Sequence, residues 1–153
     1  MCLWWVYACH HLPGQRPSTR VCCACQGCTG IWPRRSVPER RPLTRLTDQT
    51  LRQKNGDTAC KGNYTRPPGE QCDEYPFRST YQGAFTGGGS PRTHTNIPGV
   101  NCDLPQIPTA TGPTGYSICM INGSQNTGAG SDLATFYNNN RVIDADPFRV
   151  WIQ

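Results

Sequence analysis

Glycine and proline interrupt this chain so often, at 16 and 14 of 153 residues, that long regular elements have little room to form. Proline fixes φ and removes a backbone donor, and glycine loses the most freedom when it is ordered. A chain of this kind folds as short helices and strands joined by many loops. Its hydrophobic content of 35% puts it at the edge of what fills a good core. The length suits one domain. Ten cysteines are many for 153 residues. They point to disulfides made in an oxidising compartment, or to a metal cluster.

Charge is spread unevenly. Residues 1–54 carry nine Lys/Arg against two Asp/Glu, and residues 55–153 carry six against eight. The net charge of +5 is therefore a property of the first part and says nothing about the second. If the second part meets nucleic acid, a few local cations or a metal ion must do it, not a broad basic field. The apolar start "MCLWWVYAC" is about half of the ~20 residues that span a bilayer, so no membrane role is expected. It also makes a poor signal peptide. It lacks a basic first region, and "HHLPGQRP" follows where a small-residue cleavage site would stand.

The chain divides near residue 41. Residues 1–41 show neither helical nor strand periodicity. Cys25-x-x-Cys28, with Cys22, Cys23, His10 and His11 nearby, has zinc-binding residue types but no second spaced pair. We read 1–41 as a disordered, basic, Cys/Pro/Arg-rich segment, or as a stretch that is not the authentic start of the gene product. Residues 42–153 form the domain. There "LTRLTDQTLRQKN" places Leu43, Leu46 and Thr50 on one helical face, which predicts a short amphipathic helix ending near Asn55-Gly56. "CDEYPF" predicts a short strand that Pro76 confines to an edge or an end. "YSICMI" (116–121) and "DPFRVWI" alternate as strands, the second with Phe148, Val150 and Ile152 on one side. A helix is predicted to begin near Ser131, with Leu133, Phe136 and Tyr137 on one face. "SPRTHTN" and "LPQIPTATGPTG" read as loops.

Two adjacent acids, Asp73 and Glu74, stand between a cysteine and Tyr75-Pro76-Phe77. Alone they read as a strand-end pair capping a turn. Two further runs change that reading: Asn126-x-Gly-Ala-Gly-Ser131 and "NRVIDADPF" (140–148). Together with "DEYPF", in this order and spacing, they make residues 42–153 closely resemble the NucA/NucB-type deoxyribonuclease domain, a family of small, mostly secreted, non-specific endonucleases. The resemblance implies an α+β, loop-rich ββα-metal (His-Me finger-like) fold holding one divalent cation, Mg²⁺ or Mn²⁺. It also implies DNA as substrate and a secreted, monomeric protein. Asp73 would take the general-base position that a histidine holds in many relatives of that fold. Glu74 would support it or the cation, and Asn126 would ligate the metal through its amide oxygen.

The chemistry suits those residue types. Phosphodiester hydrolysis needs a deprotonated water and a cation on the non-bridging oxygen, and Mg²⁺ accepts few protein oxygens while keeping several waters. A carboxylate is a weak base unless burial and a like charge raise its pKa, which is a physical reason to set acids beside aromatics. Two departures stand out: Gln125 occupies a place where the family often has an acid, and Thr127 one where it often has a base. They favour the alternative of a catalytically inactive module binding DNA or protein. A third reading is a toxin domain of a larger polypeptide, with an immunity or inhibitor protein as partner. The glycine run also reads as a flexible turn with Ser131 as a helix N-cap. Arg78 and Arg141 are candidates for phosphate contact, and Asp144 and Asp146 read as turn-forming. His94, the one histidine after residue 41, reads as a solvated loop residue. Cys60, Cys72, Cys102 and Cys119 are an even set that fits two disulfides, with Cys60–Cys72 preferred across the Pro67-Pro68-Gly69 turn. Asn63-Tyr64-Thr65 and Asn122-Gly123-Ser124 match the glycosylation sequon.

Overall fold

A computed structural model describes residues 7–9, 41–62, 64–93, 104–108 and 114–151. Within them the architecture is α+β, as expected. The elements in chain order are β1 (Tyr7–Cys9), β2 (Leu43–Thr44), α1 (Gln49–Cys60), β3 (Glu70–Tyr75), β4 (Pro91–Arg92), β5 (Tyr116–Asn122), α2 (Gly123–Asn139) and β6 (Pro147–Trp151). His94, Cys102, Asn63 and Ile152 lie outside the described residues.

The alternation in "YSICMI" becomes β5, with Tyr116, Ile118 and Met120 buried on one face. β3 pairs with it antiparallel, Asp73 opposite Cys119 and Glu74 opposite Ile118. β4, inside a stretch read as loop, pairs with β5 in parallel. The order is β3-β5-β4, so β3 is an edge, and Pro76 follows its last residue as the sequence predicts. In the second sheet, β6 lies between β1 and β2 and runs antiparallel to both, with Leu43 opposite Phe148. Residues 7–9 fall inside the stretch read as disordered. The rest of that stretch, up to residue 40, is outside the described residues.

Both helices begin elsewhere than the periodicity predicts. Leu43 and Leu46 are buried in extended chain, and α1 starts only after Asp48, whose side chain accepts the Leu51 N–H at 2.8 Å. The helix then runs through Asn55-Gly56 to Cys60. Asn55 is not a stop signal but a fully buried side chain that ties down a loop. Its Nδ2 donates to the carbonyls of Arg78 and Thr80, and its Oδ1 accepts from the N–H groups of Phe85 and Thr86 and from the Thr86 hydroxyl. Gly83 packs against this side chain so closely that a methyl group there would collide with it.

The second helix begins eight residues before Ser131. Asn122, the last residue of β5, caps it by accepting the N–H groups of Ser124 and Gln125. Gly128 and Gly130 sit inside the helix, where each costs about 0.5–1 kcal/mol relative to alanine. Ser131 is not the cap, since its hydroxyl donates back to the Thr127 carbonyl within the helix.

Two small cores result. One gathers Ala59, Ala84, Leu104, Ile107, Tyr116, Ile118 and Met120 between α1 and the β3-β5-β4 sheet. The other gathers Leu43, Tyr137, Val142 and Phe148, with Tyr75, Phe77, Leu133 and Phe136 packed on it. Asp144 joins the chain ahead of α1 to the turn after α2 by accepting from Thr47 N–H, the Thr47 hydroxyl and the Tyr81 hydroxyl. Asp146 accepts the Ile143 N–H. Both acids therefore form turns, as expected.

Cys60 at the end of α1 is bonded to Cys72 on β3, the pairing preferred from the sequence. Cys119 is disulfide-bonded as well. With cores this small the cross-link matters. Replacing Cys60 and Cys72 by serine should cost about 3 kcal/mol, chiefly by freeing the unfolded chain, and lower the melting temperature by on the order of 10 °C. A thermal melt of the double variant that coincides with the parent's would remove the bridge from the account of stability.

Candidate active site

β3 alternates its side chains between its two faces, so neighbouring residues diverge. Glu74 lies on the same face as Cys72, with Oε2 3.6 Å from the Cys60 sulfur. Asp73 lies on the other face, which α2 covers. Because β3 is an edge strand, groups from both its faces reach one cleft of about 480 Å³ between β3, α1 and α2. Asp73, Glu74, Arg78 and Asn126 all line it.

Both acids are half-buried, and the loss of water raises both pKa values. Burial pushes Asp73 up to about 6, against a smaller downward pull from the backbone N–H of Glu74. Glu74 is pushed up to about 7, by burial first and by the negative charge of Asp73 second. The Arg78 charge and backbone N–H groups oppose that rise. Burial thus lifts both acids above the ordinary carboxylate range, and the charge of Asp73 adds to the rise at Glu74. Tyr75 and Phe77, edge to face at 5.5 Å between centroids, supply apolar surroundings beside the acids.

Asn126 sits in the first turn of α2, four residues after its cap. Its Nδ2 donates to Gln71 Oε1 and to the Cys72 carbonyl, both at 3.3 Å. The amide is thereby oriented, with Oδ1 unspent among the described residues. Gln71, which no sequence motif marks, is part of this arrangement. On the same helical face follow Gly130, Leu133, Ala134 and Tyr137, all lining the cleft. No atom outside the helix would meet a β-carbon at Gly130, so glycine there keeps this wall low.

The remaining candidates divide. Thr127 lines the cleft and spends its hydroxyl on the Gly123 carbonyl, while Gln125 and Asp132 are exposed and do not line it. Arg141 is exposed in the turn after α2, in the left-handed region at φ 50°, and is not among the cleft residues. Arg45, Arg52, Ser79 and Tyr137 do line the cleft. No sequence motif marks those four, because they come from separate elements.

The oxygen-rich donors, two carboxylates and one amide oxygen, suit a hard cation that keeps most of its waters. Among the described residues no group of three or more His, Cys, Asp or Glu side chains could hold a metal ion by itself. A site here would therefore be sparse in protein ligands. The family model for "Deoxyribonuclease NucA/NucB" matches residues 24–151, a span that starts well before Pro42. No curated protein and no solved structure matches the chain.

Proposed function

Since the chain belongs to the NucA/NucB deoxyribonuclease family, we propose that the cleft between β3 and α2 is the active site of a metal-dependent, non-specific DNA endonuclease. The observation that carries this reading is the meeting of Asp73, Glu74 and an oriented Asn126 at one cleft, from positions 53 residues apart in sequence. The antiparallel pair β3–β5 followed directly by α2 supports a ββα-metal reading of the core.

Asp73 acts as the base. Burial makes it more basic than an ordinary carboxylate while leaving it ionised at neutral pH, so it can take the proton of an attacking water. The new P–O bond forms to that water oxygen as the bond to the departing sugar oxygen breaks. Glu74 supports the base from the neighbouring position, and burial together with the Asp73 charge favours its protonated form, which limits charge repulsion in the cleft. Asn126, with one of the carboxylates, would hold a Mg²⁺ or Mn²⁺ ion, which when bound supplies a Lewis acid for the non-bridging oxygen and the departing alkoxide. Arg78 lines the cleft as a phosphate contact. The missing acid at Gln125 and base at Thr127 concern positions of which one is off the cleft and the other is bonded within its helix.

Disulfide formation fits maturation in an oxidising compartment, and a secreted monomer is the form we propose. A plasmid-nicking assay with Mg²⁺, with Mn²⁺ and with chelator tests the reading. Nicking should need the metal, and Asn126→Ala should slow it roughly 10- to 100-fold, partly recovered at higher metal concentration. Metal-independent nicking, or full activity of Asn126→Ala at low metal, would remove the proposed ligand.

A further inference from the structure

The cleft holds a second set of groups that the chemistry at Asp73 does not use. Arg45 follows β2, Arg52 lies in the first turn of α1, and Tyr137 lies in the last turn of α2. The Arg45 guanidinium stacks on the Tyr137 ring at 3.9 Å, and its Nη1 donates to the Leu46 carbonyl at 3.0 Å. The Tyr137 and Ser79 hydroxyls are 3.0 Å apart and buried. The Nε atoms of both Arg45 and Arg52 are buried with no hydrogen-bond partner among the described residues. The two guanidiniums lie near enough for the charge of Arg52 to act against that of Arg45. The carboxylate acting on Arg45 is Asp144, already spent on Thr47 and Tyr81.

Arg45 also donates from Nη1 to the Ser79 carbonyl at 3.4 Å. Two cations that line one cleft, with no carboxylate among its lining residues left to neutralise them except the acid pair on β3, form an arrangement that an anion relieves. Guanidinium donors match phosphate oxygens in geometry as well as charge. A DNA strand entering the cleft brings a phosphate at every nucleotide. Resting on the deoxyribonuclease reading, we propose that Arg45 and Arg52 form a second phosphate seat, gripping a backbone phosphate that neighbours the one at Asp73. The seat anchors the strand while leaving the bases unread, since phosphate contacts carry no sequence information. The ring of Tyr137 fixes Arg45 in place and so acts as a positioning group.

The test measures DNA binding without cleavage. Anisotropy of a labelled duplex oligonucleotide is followed in chelator across a range of NaCl for the parent, Arg52→Gln, Arg45→Gln and Lys61→Gln. Lys61 does not line the cleft and serves as control. Arg52→Gln should bind about tenfold more weakly at low salt and reduce the slope of log affinity against log salt by roughly 0.7–0.9, as one lost phosphate contact requires. Arg45→Gln should do the same, and Lys61→Gln should change neither. A folded Arg52→Gln or Arg45→Gln protein with the parental slope overturns the proposal. So does a result in which Arg52→Gln loses binding of inorganic phosphate yet keeps that of the oligonucleotide. Failure of the parent to nick plasmid with either metal would instead overturn the active-site reading, and leaves the binding result to stand or fall by itself.

Discussion

Asp73→Asn is expected to slow DNA cleavage by roughly 10²- to 10⁴-fold while making the fold more stable above neutral pH. The first effect follows from the proposed role of Asp73 as base: an amide of nearly the same shape cannot take a proton from water. The second follows from burial. The folded carboxyl titrates at about 6, above its ordinary value near 4. The folded state therefore holds this proton more tightly than the unfolded chain does. That advantage is complete below about pH 4 and is lost as pH rises to about 6, above which the ionised, desolvated group weighs against the fold. The amide removes that burden and should add roughly 1–3 kcal/mol at pH 8, with little difference between the proteins near pH 4. Parental cleavage should climb with pH through about 6. Melting curves at the two pH values, beside cleavage rates, check each half separately. A parental rate in Asp73→Asn excludes Asp73 as base, and equal stability at pH 8 excludes its desolvation.

Asn55→Ala should cost roughly 3–5 kcal/mol, although alanine favours a helix more than asparagine by about 0.6 kcal/mol. The substitution removes the shared partner of the Phe85 and Thr86 N–H groups and of the Arg78 carbonyl, while the Thr86 hydroxyl and the Thr80 carbonyl keep their bonds to each other and, for the carbonyl, to the Gly83 N–H. Each buried polar group left unsatisfied costs about 1–3 kcal/mol, and partial access of water brings the sum down. The freed loop carries Arg78 and Ser79, both at the cleft, so cleavage should fall with stability. Urea unfolding gives the measure. A loss below about 1 kcal/mol would mean that the loop holds without Asn55.

The sequence was most readable where local rules and burial agree. In β5 the alternation of Tyr116, Ile118 and Met120 meets a one-sided core, and β6 behaves alike around Phe148. The acid pair stands out as a candidate site only beside two distant runs, because two carboxylates have the same composition whether they cap a turn or line a cleft. Helix limits depart from the sequence signals at both helices, each time because one residue serves another purpose. Asn55-Gly56 resembles a helix stop, yet Asn55 is spent on residues 78–86. Gly128 and Gly130 resemble a turn, yet Asn122 had already started the helix. Arg45 and Arg52 could not be recognised at all. Their meeting depends on how the chain ahead of α1 is brought over the Tyr137 ring of α2 and how the first turn of α1 reaches the same cleft, and no spacing encodes that.

β5 passes into α2 with no residue between them: Asn122 ends the strand and Gly123 begins the helix. Asp73 is tied to this run by its register with Cys119, and Asn126 lies seven residues further along. The proposed base and the proposed ligand are thus spaced by counted residues rather than by a loop that could absorb a change. One residue inserted or deleted between Cys119 and Asn126 would turn Asn126 about 100° around the helix axis, away from Gln71 and out of the cleft, or flip the strand's faces. Length variation among related chains should therefore gather in the long stretch between β4 and β5 and spare this join, and an engineer seeking to insert a tag or sensor into the domain should leave residues 119–126 uncut.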